Sequence, residues 1–141
     1  MSHAYYQLVL DKECQPYTVI NTHRGLFQYN RLCFGVASAP GIFQRAMESL
    51  LRNMTGVLCY LDGVLNSGTD ETEHLSRLVA VLSKLQEAGL KLRLEKCSFR
   101  VPEVSHLGYK IDAEGLHPTK AKVQALFNAH APTDLEKLES Y

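Results

Sequence analysis

Residues 57–66 are the feature that most limits how this chain can fold. They read VLCYLDGVLN, an apolar run interrupted once, by Asp62 and Gly63. Apolar residues on both sides of an Asp-Gly pair are typical of a β-hairpin, because this pair favours the backbone of a type I′ turn. We therefore predict two short strands joined at a tight turn, with the carboxylate of Asp62 at the tip and Gly63 at a turn position with positive φ.

Composition favours one compact domain with a hydrophobic core. The chain has 141 residues, 45% of them hydrophobic, which is enough material for one domain. Fifteen basic and fifteen acidic side chains cancel, so nucleic-acid binding would have to come from a local patch of charge. The four cysteines are widely spaced, which signals neither a disulfide framework nor a zinc site.

No stretch of the sequence predicts a membrane segment. The longest apolar run, residues 57–61, is far too short to span a bilayer. The first residues form no basic and apolar leader. We therefore expect an intracellular protein, in the cytoplasm or nucleus, without a membrane partner.

Strand-forming residues precede the hairpin, and an amphipathic segment follows them. Residues 4–10, 17–20 and 26–30 are predicted to form an antiparallel meander. Ser38 is predicted to cap a helix with Pro40 in its first turn. The apolar residues of this helix recur at helical spacing and are predicted to face the core: Ile42, Phe43, Ala46, Met47, Leu50 and Leu51.

After the hairpin, the spacing of apolar residues predicts a second helix, ending near residues 88–89. Strict alternation over residues 90–94 predicts a strand. Residues 104–111 alone indicate a strand with a bulge at Gly108, and residues 112–115 a turn. Pro118 and Thr119 open a helix that carries Val123, Leu126 and Phe127. Thr133 and Glu136 form a capping box for one more helix. The second helix is predicted to bury Leu75, Leu78, Val79, Leu82 and Leu85.

Residues 21–56 are locally basic, because this stretch contains four arginines and only one acidic residue, Glu48. The arginines are Arg24, Arg31, Arg45 and Arg52. Converging arginines would suit contact with phosphate groups. Scattered, solvated arginines are the alternative.

Several motifs resemble those of reverse transcriptases. Residues 60–63, Tyr-Leu-Asp-Gly, resemble the Tyr-x-Asp-Asp box, with Gly63 in place of the second acid. Residues 27–47 resemble the Leu-Pro-Phe-Gly, Ser/Asn-Ala-Pro and Phe-Gln pattern of gypsy-type retrotransposon polymerases, with Cys33 where proline is usual. Residues 2–7, the Lys-Cys-Ser-Phe at 96–99 and the hairpin at 104–111 match further motifs in family order. The resemblance covers nearly all of residues 2–141.

The resemblance implies the palm of a right-hand polymerase. Its fold class would be α+β, with an antiparallel sheet packed against helices, a remnant of the fingers and no thumb. We expect a single partial domain, with palm and fingers elements in residues 1–56, the hairpin part of the palm in 57–103, and a primer-grip-like hairpin and the start of the thumb in 104–141. The first catalytic Asp of the family would fall immediately before Met1, so we expect a truncated and degenerate copy.

The same resemblance assigns site residues. Asp62 would bind Mg²⁺ and act in catalysis, and Lys96 would lie where a lysine protonates the leaving pyrophosphate, although a solvated lysine is the alternative. Tyr5 would be the steric gate beneath the sugar, with Phe34 and Gly35 in the nucleotide pocket. Contacts to an RNA or DNA primer-template would come from Gln44, Arg45, Leu107, Gly108 and Tyr109.

These expectations leave three functions open. The first is a working RNA-directed DNA polymerase, which the missing Asp and Gly63 disfavour, because two magnesium ions need carboxylates from two strands. The second, which we prefer, is a retroelement-derived reverse transcriptase fragment without activity. The third is a co-opted nucleic-acid-binding or protein-interaction module, including self-association through exposed apolar surface.

Overall fold

The computed structural model describes residue 1 and residues 3–128. The chain divides into two compact units, Met1–Cys97 and Ser98–Tyr141. Among the described residues, the first unit contains four strands and two α-helices, and the second contains three strands and one α-helix. Every strand pairing is antiparallel, so the structure has the α+β class that was predicted. The finer division at residues 56 and 103 stays a prediction.

The first unit begins with a short 3-10 helix, Ala4–Gln7, where the sequence predicts a strand. That prediction is wrong, and only an isolated bridge from Val9 to Arg31 remains of it. The Arg31 guanidinium donates to the main-chain oxygens of Tyr6 and Gln7, each at 3.2 Å. Because a side chain occupies these carbonyls, they do not form a strand ladder.

The two strands that follow form a hairpin as predicted, with shifted bounds. Strand β1 is Val19–Thr22 and strand β2 is Gly25–Gln28. They pair from Val19 with Gln28 to Thr22 with Gly25. The predicted meander is therefore a two-stranded hairpin preceded by 3-10 turns.

Helix α1 is Ala39–Leu50, with Pro40 in its first turn, as predicted. Ser38 makes no side-chain capping hydrogen bond, so the predicted cap is wrong. Phe43 and Met47 are fully buried, whereas Ile42 on the flank of the same face is 46% exposed. The buried stripe is thus narrower than the apolar spacing predicts.

The hairpin at residues 57–66 is confirmed. Strand β3 is Val57–Tyr60 and strand β4 is Gly63–Asn66, and Tyr60 pairs with Gly63. The two turn residues are therefore Leu61 and Asp62. Positive φ lies at Leu61, at 50°, so the predicted turn at Asp62 and Gly63 is wrong by one residue.

Helix α2 is Glu71–Glu87, and its N-cap is Asp70, whose carboxylate accepts a hydrogen bond from the main-chain nitrogen of Glu73 at 2.8 Å. Val81 and Leu85 are its buried residues. They join a core cluster with Ala4, Phe43, Met47 and Leu51. Three of the residues that were predicted to be buried are exposed instead: Leu75, Val79 and Leu82.

Residues 90–94 form no strand, contrary to the prediction, and a 3-10 helix at Leu94–Lys96 follows. The main chain of Lys91 is bonded to the side chain of Gln7: its N–H donates to Oε1 at 2.5 Å, and its carbonyl accepts from Nε2 at 3.1 Å. A side-chain amide thus takes both groups that a neighbouring strand would have used.

The second unit contains the predicted hairpin and one strand that was not predicted. The predicted turn at residues 112–115 leads into the strand that was not predicted. The predicted helix that opens at Pro118 and Thr119 is confirmed and begins at Lys120. The predicted helix with Thr133 and Glu136 lies outside the described residues. The elements are β5 (Val104–His106), β6 (Tyr109–Asp112), β7 (Gly115–Pro118) and α3 (Lys120–Phe127).

Candidate functional site

One pocket in the first unit, of about 320 Å³, brings together four residues that the sequence reading assigned to separate motifs. Tyr5 comes from the first 3-10 helix, Phe34 from the loop before α1, Asp62 from the β3–β4 turn, and Lys96 from the third 3-10 helix. These residues lie far apart in sequence, so only the fold places them on one cavity.

The acidic wall of the pocket is the β3–β4 turn, which Gln44 of α1 holds in place. The Gln44 carboxamide oxygen accepts from the main-chain nitrogen of Leu61 at 2.5 Å, and its nitrogen donates to the carbonyl of Cys59 at 3.1 Å. The same nitrogen donates to Glu48 at 2.7 Å, which orients the amide. These bonds provide hydrogen-bond partners for main-chain groups of the turn that carries Asp62. They also stabilise Leu61 in its conformation with positive φ.

Two aromatic rings form another wall. The rings of Tyr5 and Phe34 have centroids 4.8 Å apart at 44°. Tyr5 also contacts Phe43, with centroids 5.6 Å apart, and Phe43 is fully buried. The aromatic wall is therefore anchored on the core at Tyr5, while Phe34 is 59% exposed. Gly35 follows with φ of 91° and is not a lining residue.

The cationic wall contains Arg93 and Lys96. The segment that carries them is attached to the first 3-10 helix through the paired hydrogen bonds of Gln7 with Lys91. The Sγ of Cys97 lies 3.3 Å from the carbonyl oxygen of Arg93. Gln7 therefore acts on this wall much as Gln44 acts on the acidic one.

Within residues 1 and 3–128, Asp62 is the one carboxylate that lines the pocket. It is 60% exposed, and the main-chain nitrogen of Met1 lies 3.6 Å from its Oδ2 and 3.3 Å from its carbonyl oxygen. Burial, together with the negative charges of Glu48 and Asp62, raises the pKa of the neighbouring Cys59 thiol. Without a bound metal, this thiol is therefore protonated at neutral pH.

Arg45 and Arg31, which were predicted to contribute to a basic surface, differ in their contacts. Arg45 is exposed on α1, one residue after Gln44. Arg31 is bonded to the carbonyls of Tyr6 and Gln7, so this guanidinium already has a structural partner.

The second unit carries the predicted primer-contact residues on the β5–β6 turn. Leu107 and Gly108 have φ of 52° and 77°, and Leu107 is 58% exposed. The carbonyl of Gly108 accepts from the main-chain nitrogen of Thr119 at 3.0 Å. The Lys122 ammonium lies 3.7 Å from the centre of the Tyr109 ring, which is a cation–π contact.

One group in the described part of the chain has ligand atoms close enough to share a metal ion. Asp112, Glu114 and His117, in and around the β6–β7 turn, have such atoms within 4.8 Å of one another. Asp112 is already 3.0 Å from the Lys110 ammonium, and this hydrogen bond lowers the pKa of the Asp112 carboxyl. The Lys110 ammonium, which also lies 3.0 Å from Glu103, thus already pairs with one carboxylate of the group.

Sequence reasoning missed His3 and Arg93 as pocket residues and Gln7 as a support. His3 and Arg93 line the cavity. Single basic residues in short irregular segments carry no periodic signal. Arg93 lies three residues before Lys96, however, and that spacing in a turn would have been a usable signal.

The fold is similar to that of solved reverse transcriptases. A foamy viral protease-reverse transcriptase in complex with double-stranded DNA matches with a TM-score of 0.83 and 28% identity, over 99% of this chain and 25% of that chain. The same viral protein in complex with an RNA/DNA hybrid matches with a TM-score of 0.79 and 28% identity, over 99% of this chain and 19% of that one. The architecture is therefore that of a reverse transcriptase palm region.

Residues 1–111 match the family described as reverse transcriptase (RNA-dependent DNA polymerase), and the chain belongs to this family. An uncharacterized protein of Caenorhabditis elegans is 38% identical over 138 residues. The retrovirus-related Pol polyproteins of transposons 297 and gypsy, both of Drosophila melanogaster, are 34% and 30% identical over 143 and 139 residues. These matches cover 98%, 100% and 97% of this chain and 11%, 14% and 13% of the relatives. The chain thus corresponds to a part of a retroelement Pol polyprotein, and the predicted gypsy-type resemblance is confirmed.

Among the described residues, no helix is long and apolar enough to cross a membrane.

Proposed function

We propose that residues 1–97 form the nucleotide site of a retroelement reverse transcriptase. The observation that carries this proposal is the convergence of Tyr5, Phe34, Asp62 and Lys96 on one pocket. An aromatic pair, a carboxylate and a lysine are the groups that a nucleotide needs for its sugar or base, its metal and its phosphates.

Each wall has a role in this proposal. Tyr5 contacts the sugar, with Phe34 beside it. Lys96 faces the phosphates in its ammonium form, in the region where a lysine of the family protonates the leaving pyrophosphate during transfer. Asp62 is the metal ligand.

The donor set supports only part of a magnesium site. Magnesium, when bound, neutralises charge on the phosphates and activates the attacking oxygen. Asp62 would hold it, but one carboxylate does not form a two-metal clamp. We therefore propose that residues 1–141 bind a nucleotide without transferring it. The position of Met1 against Asp62 supports the expectation that a carboxylate placed just before Met1 would enter the same site.

Primer-template binding is the second part of the proposal. Gln44 and Arg45 would lie near the template, and the β5–β6 turn with Leu107, Gly108 and Tyr109 would contact the primer. Solved relatives that are bound to double-stranded DNA and to an RNA/DNA hybrid support this part. Because the chain has no net charge, we expect weak, salt-dependent binding without sequence preference.

One observation favours the protein-interaction alternative. Leu75, Val79 and Leu82 of α2 form an exposed apolar stripe, with exposed fractions of 40%, 62% and 36%. Apolar stripes of this kind often mark contact surfaces, and a second copy of the chain is the partner that we propose.

Nucleotide binding tests the proposal. The native chain, titrated with a fluorescent deoxynucleoside triphosphate in magnesium buffer, should bind, and Phe34→Ala should weaken binding about tenfold, since a stacking contact is lost. Phe27→Ala is the matched control, because Phe27 is also an exposed phenylalanine, at 52% against 59%, but lies on β2 and does not line the pocket. Equal affinities of the native chain and Phe34→Ala, or no binding by the native chain, would overturn it.

A further inference from the structure

The side chain of Arg31 is attached to the short helix that carries Tyr5. Its Nη1 donates to the main-chain oxygens of Tyr6 and Gln7, each at 3.2 Å. These are the last two residues of the 3-10 helix Ala4–Gln7, and the last carbonyls of a helix find no donor within it. Arg31 therefore supplies the donor that the end of this helix needs.

Main-chain hydrogen bonds join the same two segments. The N–H of Leu8 donates to the carbonyl of Tyr5 at 3.0 Å, and the carbonyl of Leu8 accepts from the N–H of Leu32 at 3.0 Å. Val9 forms a β-bridge with Arg31. Because Leu32 is buried, the segment that holds the helix is itself fixed in the interior. The Arg31 side chain extends this attachment to the helix.

The two tyrosines of the helix both contact Phe34, which follows Arg31 by three residues. The centroid of the Phe34 ring lies 4.8 Å from that of Tyr5 and 5.4 Å from that of Tyr6. The Tyr6 ring also stacks on Tyr29, with centroids 6.2 Å apart. A shift of the helix would therefore change the position of the Tyr5 ring relative to Phe34.

Arg31 acts on the pocket only through this helix. Within the described part of the chain, Tyr5 and Phe34 line the cavity and Arg31 does not. A nucleotide in the pocket would contact the Tyr5 ring, whose position Arg31 fixes. A ring that excludes a 2′-hydroxyl does so by its shape and position, so a small displacement changes which sugar fits.

We propose that Arg31 is a positioning residue for sugar selection: it holds the helix Ala4–Gln7 so that the Tyr5 ring occupies the space that a 2′-hydroxyl would need. The inference rests on the proposed nucleotide site and adds to it a preference for deoxyribose and the residue that maintains this preference. Arginine suits the task, because its guanidinium is always charged and its Nη1 carries two hydrogens, one for each carbonyl.

Titration with a fluorescent deoxynucleoside triphosphate and with the matching ribonucleoside triphosphate, both in magnesium buffer, tests this role. The ratio of the two dissociation constants is the readout, because a variant that is merely less folded loses both affinities by the same factor. The native chain should prefer the deoxynucleotide. Arg31→Met should reduce this preference about fivefold, the change that corresponds to one lost hydrogen bond. Arg31→Lys keeps a charged donor and should keep most of the preference.

Lys12→Met is the matched control. It also removes one positive charge from an exposed residue of the first unit, and Lys12 does not line the pocket, so the ratio should change less than about twofold. Hydrogen exchange at the Leu8 amide gives a second readout, since this amide donates to Tyr5. Exchange there should be faster in Arg31→Met and unchanged in Lys12→Met.

The outcomes separate the role of Arg31 from the nucleotide site itself. A native chain that binds both nucleotides equally would overturn the sugar preference and leave the proposed site standing. The role of Arg31 would also be wrong if Arg31→Met and Lys12→Met had the same ratio, or if exchange at the Leu8 amide were unchanged in Arg31→Met. An absence of binding of either nucleotide by the native chain would overturn both proposals.

Discussion

Leu61 has a backbone conformation that few leucines adopt, and Gln44 supports it. A leucine at φ of 50° is disfavoured by contact between its Cβ and the main chain. The bond from the Leu61 nitrogen to the Gln44 oxygen, at 2.5 Å, offsets this cost. Gln44 was predicted from its motif as a template contact, and the structure gives it a positioning role at the Asp62 turn as well.

Gln44→Ala should therefore loosen the Asp62 turn. We expect a loss of about 1–3 kcal/mol in the free energy of unfolding, because the partly buried N–H of Leu61 and carbonyl of Cys59 lose a partner. Urea denaturation measures the loss, and hydrogen exchange at the Leu61 amide localises it. Gln86→Ala, on the exposed end of α2, should change neither quantity. Unchanged protection of the Leu61 amide in Gln44→Ala would contradict the positioning role.

Two glycines should respond to alanine with opposite signs. Gly56 has φ of 72°, and a Cβ there would lie 2.8 Å from the carbonyl oxygen of Ser67 and in collision with Arg77. Gly41 in α1 has open space around it and no positive φ. Gly56→Ala should destabilise the fold by more than about 1 kcal/mol, whereas Gly41→Ala should stabilise it by up to about 1 kcal/mol. Thermal melts of both variants decide this, and a stabilised Gly56→Ala variant would refute the close approach.

At the level of elements, helix α2 depends on its first turn. The carboxylate of Asp70 accepts from the Glu73 nitrogen, and the Glu73 carboxylate in turn accepts from the nitrogen and hydroxyl of Thr69, at 2.8 and 2.7 Å. Asp70→Ala should cost about 1 kcal/mol of stability. Thr72→Ala, on an exposed residue of the same turn, is the control. Equal melting temperatures for the two variants would show that the cap contributes nothing.

The hydrogen bonds of this first turn should also make the stability of the fold depend on pH in the acidic range. Hydrogen bonds from the main chain and hydroxyl of Thr69, with Arg77 nearby, lower the pKa of Glu73 from its usual 4.5. A carboxyl whose folded pKa is lowered stabilises the fold above its unfolded pKa, and this contribution is lost as the pH falls through the folded value. Stability should therefore fall below about pH 4.5, and less steeply in Glu73→Gln. Identical pH profiles for the native chain and Glu73→Gln would contradict this.

Elements with a local signal were predictable, and elements fixed by distant side chains were not. The β3–β4 hairpin, α1 and α2 follow from apolar spacing and turn residues. Residues 4–10 and 90–94 have strand-like sequences, but Arg31 and Gln7 take up main-chain groups that a sheet would need. Such contacts link residues up to 84 positions apart, and no periodic pattern reports them.

Like the fold, the candidate site could be predicted from the sequence only in part. Tyr5, Phe34, Asp62 and Lys96 could be named only through the family motifs, since composition and spacing do not single them out. Their convergence needed the fold, and so did the discovery of Arg93. The family motif assigns Gly35 to the nucleotide pocket, but Gly35 has no side chain with which to line the cavity. Gly63 begins β4 and is not a turn residue.

On the scale of the whole molecule, the exposed stripe of α2 predicts self-association. Val79 is the most exposed member, at 62%. Val79→Glu should shift the chain toward monomer in sedimentation equilibrium, because a charge in an apolar contact is costly. Ala80→Glu introduces the same charge on a neighbouring exposed position away from the stripe and should leave association unchanged. A native chain that is monomeric at all concentrations would rule out this use of the stripe.

The central claim is that Asp62 provides one carboxylate of a nucleotide site, and that nucleotidyl transfer needs a second carboxylate. Primer extension tests this claim most directly. Four proteins are compared, with magnesium or manganese: the native chain, Asp62→Asn, Gly63→Asp, and the native chain extended upstream by a strand that places Asp just before Met1. We predict no incorporation by the first three, since Gly63→Asp adds an acid to the same hairpin and leaves the neighbouring strand without one. Incorporation is expected only when this extension is combined with Gly63→Asp, a thumb and the rest of the fingers. Incorporation by the native chain that Asp62→Asn abolishes would contradict the claim, because Asp62 would then support transfer with no second carboxylate in the pocket.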